Sequence, residues 1–347
     1  MNGDHASFIS LPDQDRRDVC EATARRLDTL PSYVEKDFWV CLVLDILYNR
    51  LPDGHPRLLF KGGTSLSKAF GLINRFSEDI DLVVFRDGLG FEGDRDPIVS
   101  KNLSNRKRMV LFDELRSACS KYVFGVLQTD ITGCIAEIVE GCEVFPDDSD
   151  VDGQTLNVTY PTIYPSADVG YVEPRIRIEA GARSALDPNT TCNVTPLIAE
   201  ESPEWSFSVG GIRTITPERT LWEKLLILHG LYCGYRDEQR LPTDRDRISR
   251  HYYDCSMILK TESGRNALSD FELLSAVREH NLIAFRQAWK GFEAAVPGTL
   301  RFVPQSDLLK VIKRDYAAME GMILGEVPEF DWIVDNLVQA ENLVNRS

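Results

Sequence analysis

The stretch from Lys61 to Phe85 restricts the fold of this chain more than any other. Leu58, Leu59 and Phe60 read as a strand, Gly62 and Gly63 turn the chain into a short helical run, and Ile80 to Phe85 read as a second strand. Side chains two apart on a strand share a face, so Asp79 and Asp81 point one way while Ile80, Leu82 and Val84 point the other way into a core. Two carboxylates side by side repel each other, and a hard divalent cation that takes oxygen ligands relieves that repulsion. Glycines let a backbone approach a phosphate closely, and the N–H groups of a following helix suit its charge.

A glycine turn followed by an Asp-x-Asp metal cradle is a layout suited to nucleotidyl transfer. The segment resembles the signature of the polymerase-beta-type nucleotidyltransferase superfamily. Lys61-Gly62-Gly63-Thr64-Ser65-Leu66, with Arg75-Phe76-Ser77-Glu78-Asp79-Ile80-Asp81-Leu82, is similar to the AbiEii/AbiGii toxin branch that includes the MenT toxins. An Asp-x-Asp pair alone also describes an acidic strand edge that holds no metal. Joined to the glycine turn and flanked by two apolar strands, it points to chemistry.

With 347 residues the chain has room for two domains or one large one, and for a substantial core. Its 43% hydrophobic and 27% charged residues are those of a folded globular protein rather than a disordered one. No N-terminal basic-plus-apolar signal pattern appears, no apolar run is long enough to span a bilayer, and the eight cysteines form no Cys-x-x-Cys pair. These features predict a cytoplasmic protein with reduced thiols, no zinc site and no membrane partner. The net charge of −15 opposes a simple nucleic-acid-binding module. Two basic clusters soften that objection: Lys101, Arg106, Lys107, Arg108, Arg116 and Lys121, and then Arg236, Arg240, Arg245, Arg247 and Arg250. Each is read either as a local basic surface or as a solvated helix face.

Helices are expected over 13–28 and 31–49. In the second, Val34, Phe38, Leu42, Val43, Ile46 and Leu47 recur at helical spacing, with Glu35, Lys36 and Asp37 opposite. The string Glu35 to Val40 also resembles a segment ahead of the glycine turn in the AbiEii family, and packing is the role expected for it. A basic helix is expected from about Arg106 to Lys121, then mixed strands interrupted by an exposed acidic loop from Pro146 to Gly153. From 171 to 183 the pattern alternates after Pro174: Arg175, Arg177 and Glu179 share one strand face, and Ile176, Ile178 and Ala180 the other. A polymerase-beta-type site uses a third carboxylate from a neighbouring strand, and Glu179 fits that part, with arginines alongside to meet phosphate oxygens. The same residue types also suit mutual pairing on a solvent-facing strand.

From Thr216 the pattern is helical to the end. Thr216 suits an N-cap, Pro217 the first helical position, and Leu221, Leu225, Leu228 and Tyr232 form a stripe. Further helices are expected over 246–260 and 306–324, the latter carrying Leu308, Ile312, Tyr316, Met319 and Ile323, with a last one after Phe330. The expected fold class is α+β: a polymerase-beta-type mixed sheet with helices over 1–210, then a helical domain over 211–347 that contributes Lys224 and Asp254 to the site.

Those two residues stand out through the resemblance. Leu221-Trp222-Glu223-Lys224-Leu225 is similar to the family's Glu-Lys-Leu element with its functional lysine. Arg250-His251-Tyr252-Tyr253-Asp254 is similar to its Arg-Asp-x-Tyr-Asp element, with His251 where an aspartate is usual. A lysine suits the outer phosphates of a nucleotide, and a carboxylate suits accepting or orienting the attacking hydroxyl's proton. Lys224 equally suits snorkelling from a helix edge, and Asp254 a pair with Arg250 one turn earlier, worth only about 0.2–0.5 kcal/mol. Ser65 suits both facing a triphosphate and capping the short helix.

The resemblance implies a magnesium-dependent enzyme in which Asp79, Asp81 and Glu179 hold two Mg²⁺ ions. Gly62, Gly63, Thr64, Ser65 and Lys224 would hold the phosphates of a nucleoside triphosphate (NTP), and Asp254 would act as proton acceptor or positioning group. It further implies a toxin of a toxin–antitoxin or phage-abortive system that adds nucleotides to the 3′ acceptor end of tRNA and has a possible antitoxin protein partner. The residues themselves leave two other readings open: a nucleotidyltransferase acting on a protein or small-molecule hydroxyl, and a non-catalytic nucleotide-binding protein.

Overall fold

A computed structural model describes residues 3–164, 173–201, 205, 207–243 and 246–346. The expectations for Tyr171, Val172 and Arg245 lie outside the described residues. The chain divides into two compact units: Met1–Phe70 with Phe76–Thr214, and Gly71–Arg75 with Ile215–Ser347.

The first unit is built on a seven-stranded mixed sheet. Its strands are β1 (Leu58–Lys61), β2 (Ile80–Val84), β3 (Val144–Pro146), β4 (Thr155–Thr159), β5 (Arg175–Gly181), β6 (Asn189–Val194) and β7 (Val209–Ile215), in the order β3-β4-β5-β2-β1-β7-β6. The interior strand β1 is apolar without alternation, and Leu58, Leu59 and Phe60 are all buried, as in strands covered on both faces. β2 runs antiparallel to β1 and parallel to β5. In β5, Ile176 and Ile178 are fully buried while Arg175, Arg177 and Glu179 are partly exposed, so the alternation in the sequence is that of a half-buried strand.

The helices of this unit are α1 (Gly3–Ile9), α2 (Asp13–Leu27), α3 (Pro31–Asp45), α4 (Gly62–Lys68), α5 (Asn105–Tyr122), α6 (Gln128–Ala136) and α7 (Leu197–Glu201). α3 starts with Leu30 extended and Pro31 in the first turn, where a missing N–H costs nothing. It ends in a π-helical turn, Ile46–Arg50, whose Arg50 pairs with Asp45 at 2.7 Å. The expected opposition of an apolar stripe and a charged face does not hold in α3. Every residue from Ser32 to Asp45 is buried, including Glu35, Lys36 and Asp37, because the helix packs against α2 and α7 and touches β5. The basic helix α5 is capped by Ser104, whose hydroxyl accepts the Lys107 N–H at 3.3 Å. The acidic loop joins β3 to β4 as an antiparallel hairpin, and Asp147 and Asp150 accept N–H groups within it.

The second unit is helical: α8 (Pro217–Glu238), α9 (Ser249–Leu259), α10 (Glu262–Ser269), α11 (Phe271–Ala284), α12 (Ser306–Met319) and α13 (Phe330–Asn345). Leu221, Trp222, Leu225 and Leu228 of α8 are fully buried, and the Trp222 indole N–H donates to the Ala267 carbonyl at 2.9 Å. Thr216 holds the N-cap position with Pro217 next, but its side chain makes no capping bond. The chain is α+β, with a mixed sheet in its first part and helices in its second. Among the described residues no helix is long and apolar enough to cross a membrane.

Candidate active site

The turn from β1 into α4 is shaped around Asp81. Lys61 is extended and stands opposite Asp81 in the ladder, and Gly62 then takes φ +81°. A Cβ on Gly62 would lie 1.9 Å from Asp81 Oδ2 and 2.7 Å from its Cγ. The first glycine of the pair is therefore required twice, by a left-handed backbone and by the carboxylate packed where a side chain would go.

The next two residues fasten this arrangement from inside. Thr64 Oγ1 hydrogen-bonds the Asp79 carbonyl and lies 2.9 Å from Ser77 Oγ, tying α4 to the start of β2. Ser65 Oγ donates to the Gly62 carbonyl at 2.9 Å. Both side chains are fully buried, so of the two roles open to Ser65 the structure displays the local one.

Asp79 and Asp81 are half-buried on the same run of chain, and Glu179 on β5 is the direct register partner of Asp81. The row Lys61, Asp81, Glu179 thus crosses three adjacent strands. Burial raises the Asp79 carboxyl above its usual range, with Glu78 and Asp81 adding to the effect and Arg177 and Lys36 opposing it. Crowded carboxylates of this kind fit a hard cation with oxygen ligands. Glu179 lies 3.0 Å from Arg177 Nη1, and Arg177 also reaches Asp147 at 3.3 Å. Arg175 pairs with Glu173 at 2.6 Å. The arginines that the sequence pattern offers to phosphates are engaged in ion pairs along β5 and its surroundings. Among the described residues no group of three His, Cys, Asp or Glu side chains converges as a metal centre.

The charged triplet of α3 belongs to this neighbourhood, a role the sequence pattern did not assign to it. Lys36 Nζ donates to the Glu78 carboxylate, next in sequence to Asp79, and to the Glu173 carbonyl at 3.0 Å. Asp37 pairs with Lys68 at the end of α4 at 3.0 Å and accepts the Leu197 N–H at 2.6 Å. Glu35 accepts from the Thr162 hydroxyl at 2.7 Å and the Ile163 N–H at 2.9 Å. Three ionisable residues in succession within an otherwise apolar helix were the available signal.

The second unit carries its own buried ionic cluster. The Arg75 guanidinium grips Asp254 in bidentate fashion, at 2.7 and 2.9 Å, and Lys224 Nζ reaches Asp254 Oδ2 at 3.0 Å. Asp254 is fully buried, and Arg75 and Lys224 nearly so. Although burial alone would raise it, the Asp254 carboxyl is held well below the carboxylate range by Arg75 and Lys224. A carboxylate so strongly held as an anion suits positioning cations rather than accepting a proton near neutrality. Its partners are Arg75 and Lys224, not Arg250. One turn before Asp254 on α9, His251 Nδ1 lies 3.3 Å from Lys224 Nζ. An ammonium only donates, so Nδ1 accepts and Nε2 carries the proton. Burial pushes this imidazole well below its ordinary value, with Lys224 and Arg250 adding to it, so His251 is neutral. Where an aspartate would bring a second negative charge to Lys224, the histidine brings an uncharged acceptor. Arg75 itself is anchored beside Asn74, whose carbonyl accepts the Leu324 N–H at 2.8 Å.

A family model described as the nucleotidyl transferase AbiEii toxin of type IV toxin–antitoxin systems matches residues 45–336. The chain belongs to this family. The matched span contains the glycine turn, the acid pair, Glu179, Lys224 and Asp254, and begins after the Glu35–Asp37 triplet. The chain is also similar to the structure of MenT4, a nucleotidyltransferase toxin from Mycobacterium tuberculosis H37Rv, at 16% identity and a TM-score of 0.49 over 95% of this chain and 90% of that one. No curated protein matches the sequence.

Proposed function

We propose that the chain transfers a nucleoside monophosphate from an NTP to a hydroxyl of RNA, the 3′ acceptor end of tRNA, as the toxin of a toxin–antitoxin pair whose antitoxin protein opposes it. The observation that carries the transferase reading is the seating of Asp81 over Gly62, with Glu179 beside it in register. One carboxylate of the acid pair against a glycine turn, with a third carboxylate on the next strand, supports a nucleotidyl-transfer site.

Asp79 and Asp81 are the residues that would hold Mg²⁺, with Glu179 as the third ligand once released from Arg177. A divalent cation bound there supplies neutralisation of the charge on the NTP phosphates. The chain's own contribution is placement. Gly62 and Gly63 would offer backbone N–H groups to a phosphate near the turn, and Thr64 and Ser65 hold that turn against the acid pair from beneath. In the second unit Asp254 fixes Arg75 and Lys224 in place, and Lys224 is the phosphate-directed cation of the proposal. Positioning and charge compensation, rather than covalent catalysis, do the work. The exposed Lys101, Arg106 and Lys107 at the start of α5 give an otherwise acidic chain a local surface for an RNA backbone.

The test is incubation of the purified protein and its Asp79→Asn variant with bulk bacterial tRNA, Mg²⁺ and each labelled NTP in turn. Label on tRNA from the unsubstituted protein alone is the expected result. Label only in added protein refutes the tRNA acceptor and moves the acceptor to a protein hydroxyl. No label with any NTP refutes the transferase reading.

A further inference from the structure

Four carboxylates lie along the start of β2 and its neighbour: Glu78 and Asp81 act on Asp79, and Glu179 is the register partner of Asp81. The ion pairs divide them unequally. Glu179 is met by Arg177 and Glu78 by Lys36, while among the described residues neither Asp79 nor Asp81 is in an ion pair. The Lys36 partnership is the more unusual of the two. Its side chain is 3% exposed, and a lysine is buried to that degree only when it is paired. The second hydrogen bond of its ammonium, to the Glu173 carbonyl, fixes the direction from which it reaches Glu78. The other nearby cation, Arg175, is turned to Glu173.

We infer that Lys36 is a positioning residue that withholds Glu78 from the divalent cation, so that the metal meets the Asp79–Asp81 pair and not a Glu78–Asp79 pair. This rests on the metal-dependent reading of the acid pair given above. Cation affinity at oxygen sites follows the number of carboxylate charges free to ligate. Freeing Glu78 therefore adds a competing ligand beside Asp79 and tightens binding by more than the loss of the Lys36 charge, which also acts on Asp79, does alone, whereas loss of a merely structural contact loosens the site. The tightening is the distinguishing sign.

The experiment titrates the metal-free, full-length chain with Mn²⁺ alone, read by the loss of the free-ion electron paramagnetic resonance signal, with circular dichroism and melting to establish folding. Lys36→Met is expected to bind Mn²⁺ about tenfold more tightly than the unsubstituted chain. Lys36→Arg, which keeps the cation, and the double variant Lys36→Met with Glu78→Gln, which removes the released ligand, are expected to return to within about threefold of it. A folded Lys36→Met with unchanged or weaker Mn²⁺ binding overturns the inference. Glu78→Gln alone gives a reading even where Lys36→Met does not fold. It is expected to leave the affinity within about threefold, and a tenfold loss would make Glu78 a ligand already and overturn the inference. Equal Mn²⁺ binding by the unsubstituted chain and Asp81→Asn also overturns it, since there is then no pair for Glu78 to be kept from. Failure of nucleotide transfer to tRNA would fall on the acceptor or the transferase reading and leave these titrations readable.

Discussion

Replacing Gly62 with alanine tests the central geometry directly, because the structure separates its two costs. The residue has φ +81°, so any L side chain there adopts a left-handed backbone, at about 1–2 kcal/mol. The new Cβ would also lie 1.9 Å from Asp81 Oδ2, a distance no real contact reaches. Since Gly62 is locked between β1 and α4, the carboxylate has to swing away, at about 0.5–1.5 kcal/mol for an off-rotamer side chain. Gly90 provides a matched control, with φ +82° and no heavy atom within 4 Å of an added Cβ. Gly90→Ala thus carries the backbone cost alone.

In a unit of this size 1 kcal/mol moves Tm by about 2–4 °C, so Gly90→Ala is expected to lower it by about 3–6 °C and Gly62→Ala by about 5–10 °C. The separation in activity is larger. Displacing a positioning carboxylate by about 1 Å costs on the order of 10²-fold in rate, so Gly62→Ala is expected to lose about that much nucleotide transfer while Gly90→Ala stays within about threefold of the unsubstituted protein. Mn²⁺ binding to the metal-free chain should weaken in Gly62→Ala only. A Gly62→Ala protein that melts with Gly90→Ala, binds Mn²⁺ normally and keeps its rate would refute the claim that Asp81 occupies the space above the glycine.

Three further perturbations address other links. Thr64→Val removes the hydroxyl that meets the Asp79 carbonyl and Ser77, and is expected to cost about 1–3 kcal/mol in denaturant unfolding; a change below 0.5 kcal/mol would show that this tie carries little. Asp254→Asn leaves Arg75 and Lys224 buried without their anion and is expected to cost about 3–5 kcal/mol, read as a lowered midpoint for the helical unit. His229, 2% exposed, is pushed down to about 4 chiefly by burial, so below the unfolded value of 6.5 the unfolded chain binds a proton that the folded chain refuses. Stability contributed by this group is thus complete near pH 7 and falls by about 1.4 kcal/mol per unit between pH 6.5 and 4, roughly 3 kcal/mol in all. His251 acts with the same sign, and urea unfolding at pH 7 and pH 5 reads the sum; a slope unaltered by His229→Asn would remove His229 from the account.

Much of the fold was legible because its elements carry clean periods. The run from β1 through the glycine turn to β2, the alternation of β5, and the helical stripes of α8 and α12 all follow from side-chain spacing. What failed was inference about faces. Glu35, Lys36 and Asp37 follow the rule that charged residues face water, yet α3 is covered on every side and each of the three is buried against a partner distant in sequence. Thr64 and Ser65 posed a related ambiguity. A hydroxyl after a glycine pair has the same sequence signature whether it faces a ligand or the turn's own carbonyl, and only the fold displays the inward bonds. Pairs such as Arg75 with Asp254, 179 positions apart, leave no local pattern at all.

Taken by charge, the first unit explains why its acid pair reads so plainly in sequence while the residues that define it do not. A bare Asp-x-Asp on a strand has no means of excluding a neighbouring carboxylate, and here Glu78 is the adjacent residue. Without counter-ions, Glu78 would be free to ligate a cation or to push its neighbour toward protonation, as it and Asp81 already add to the burial that raises Asp79. Selectivity therefore depends on cations placed from elsewhere. Arg177, which pairs with the proposed third ligand Glu179 from two residues along the same strand, is visible in the alternation. Lys36 comes from a helix whose own pattern signals it just by three charges in an otherwise apolar run, beside the family resemblance of that string. A motif identifies the groups that can bind a metal. On the proposed metal-dependent reading, the buried Lys36 beside it bears on which of them do, so that one residue of the Glu35–Asp37 triplet belongs with the Asp79–Asp81 pair.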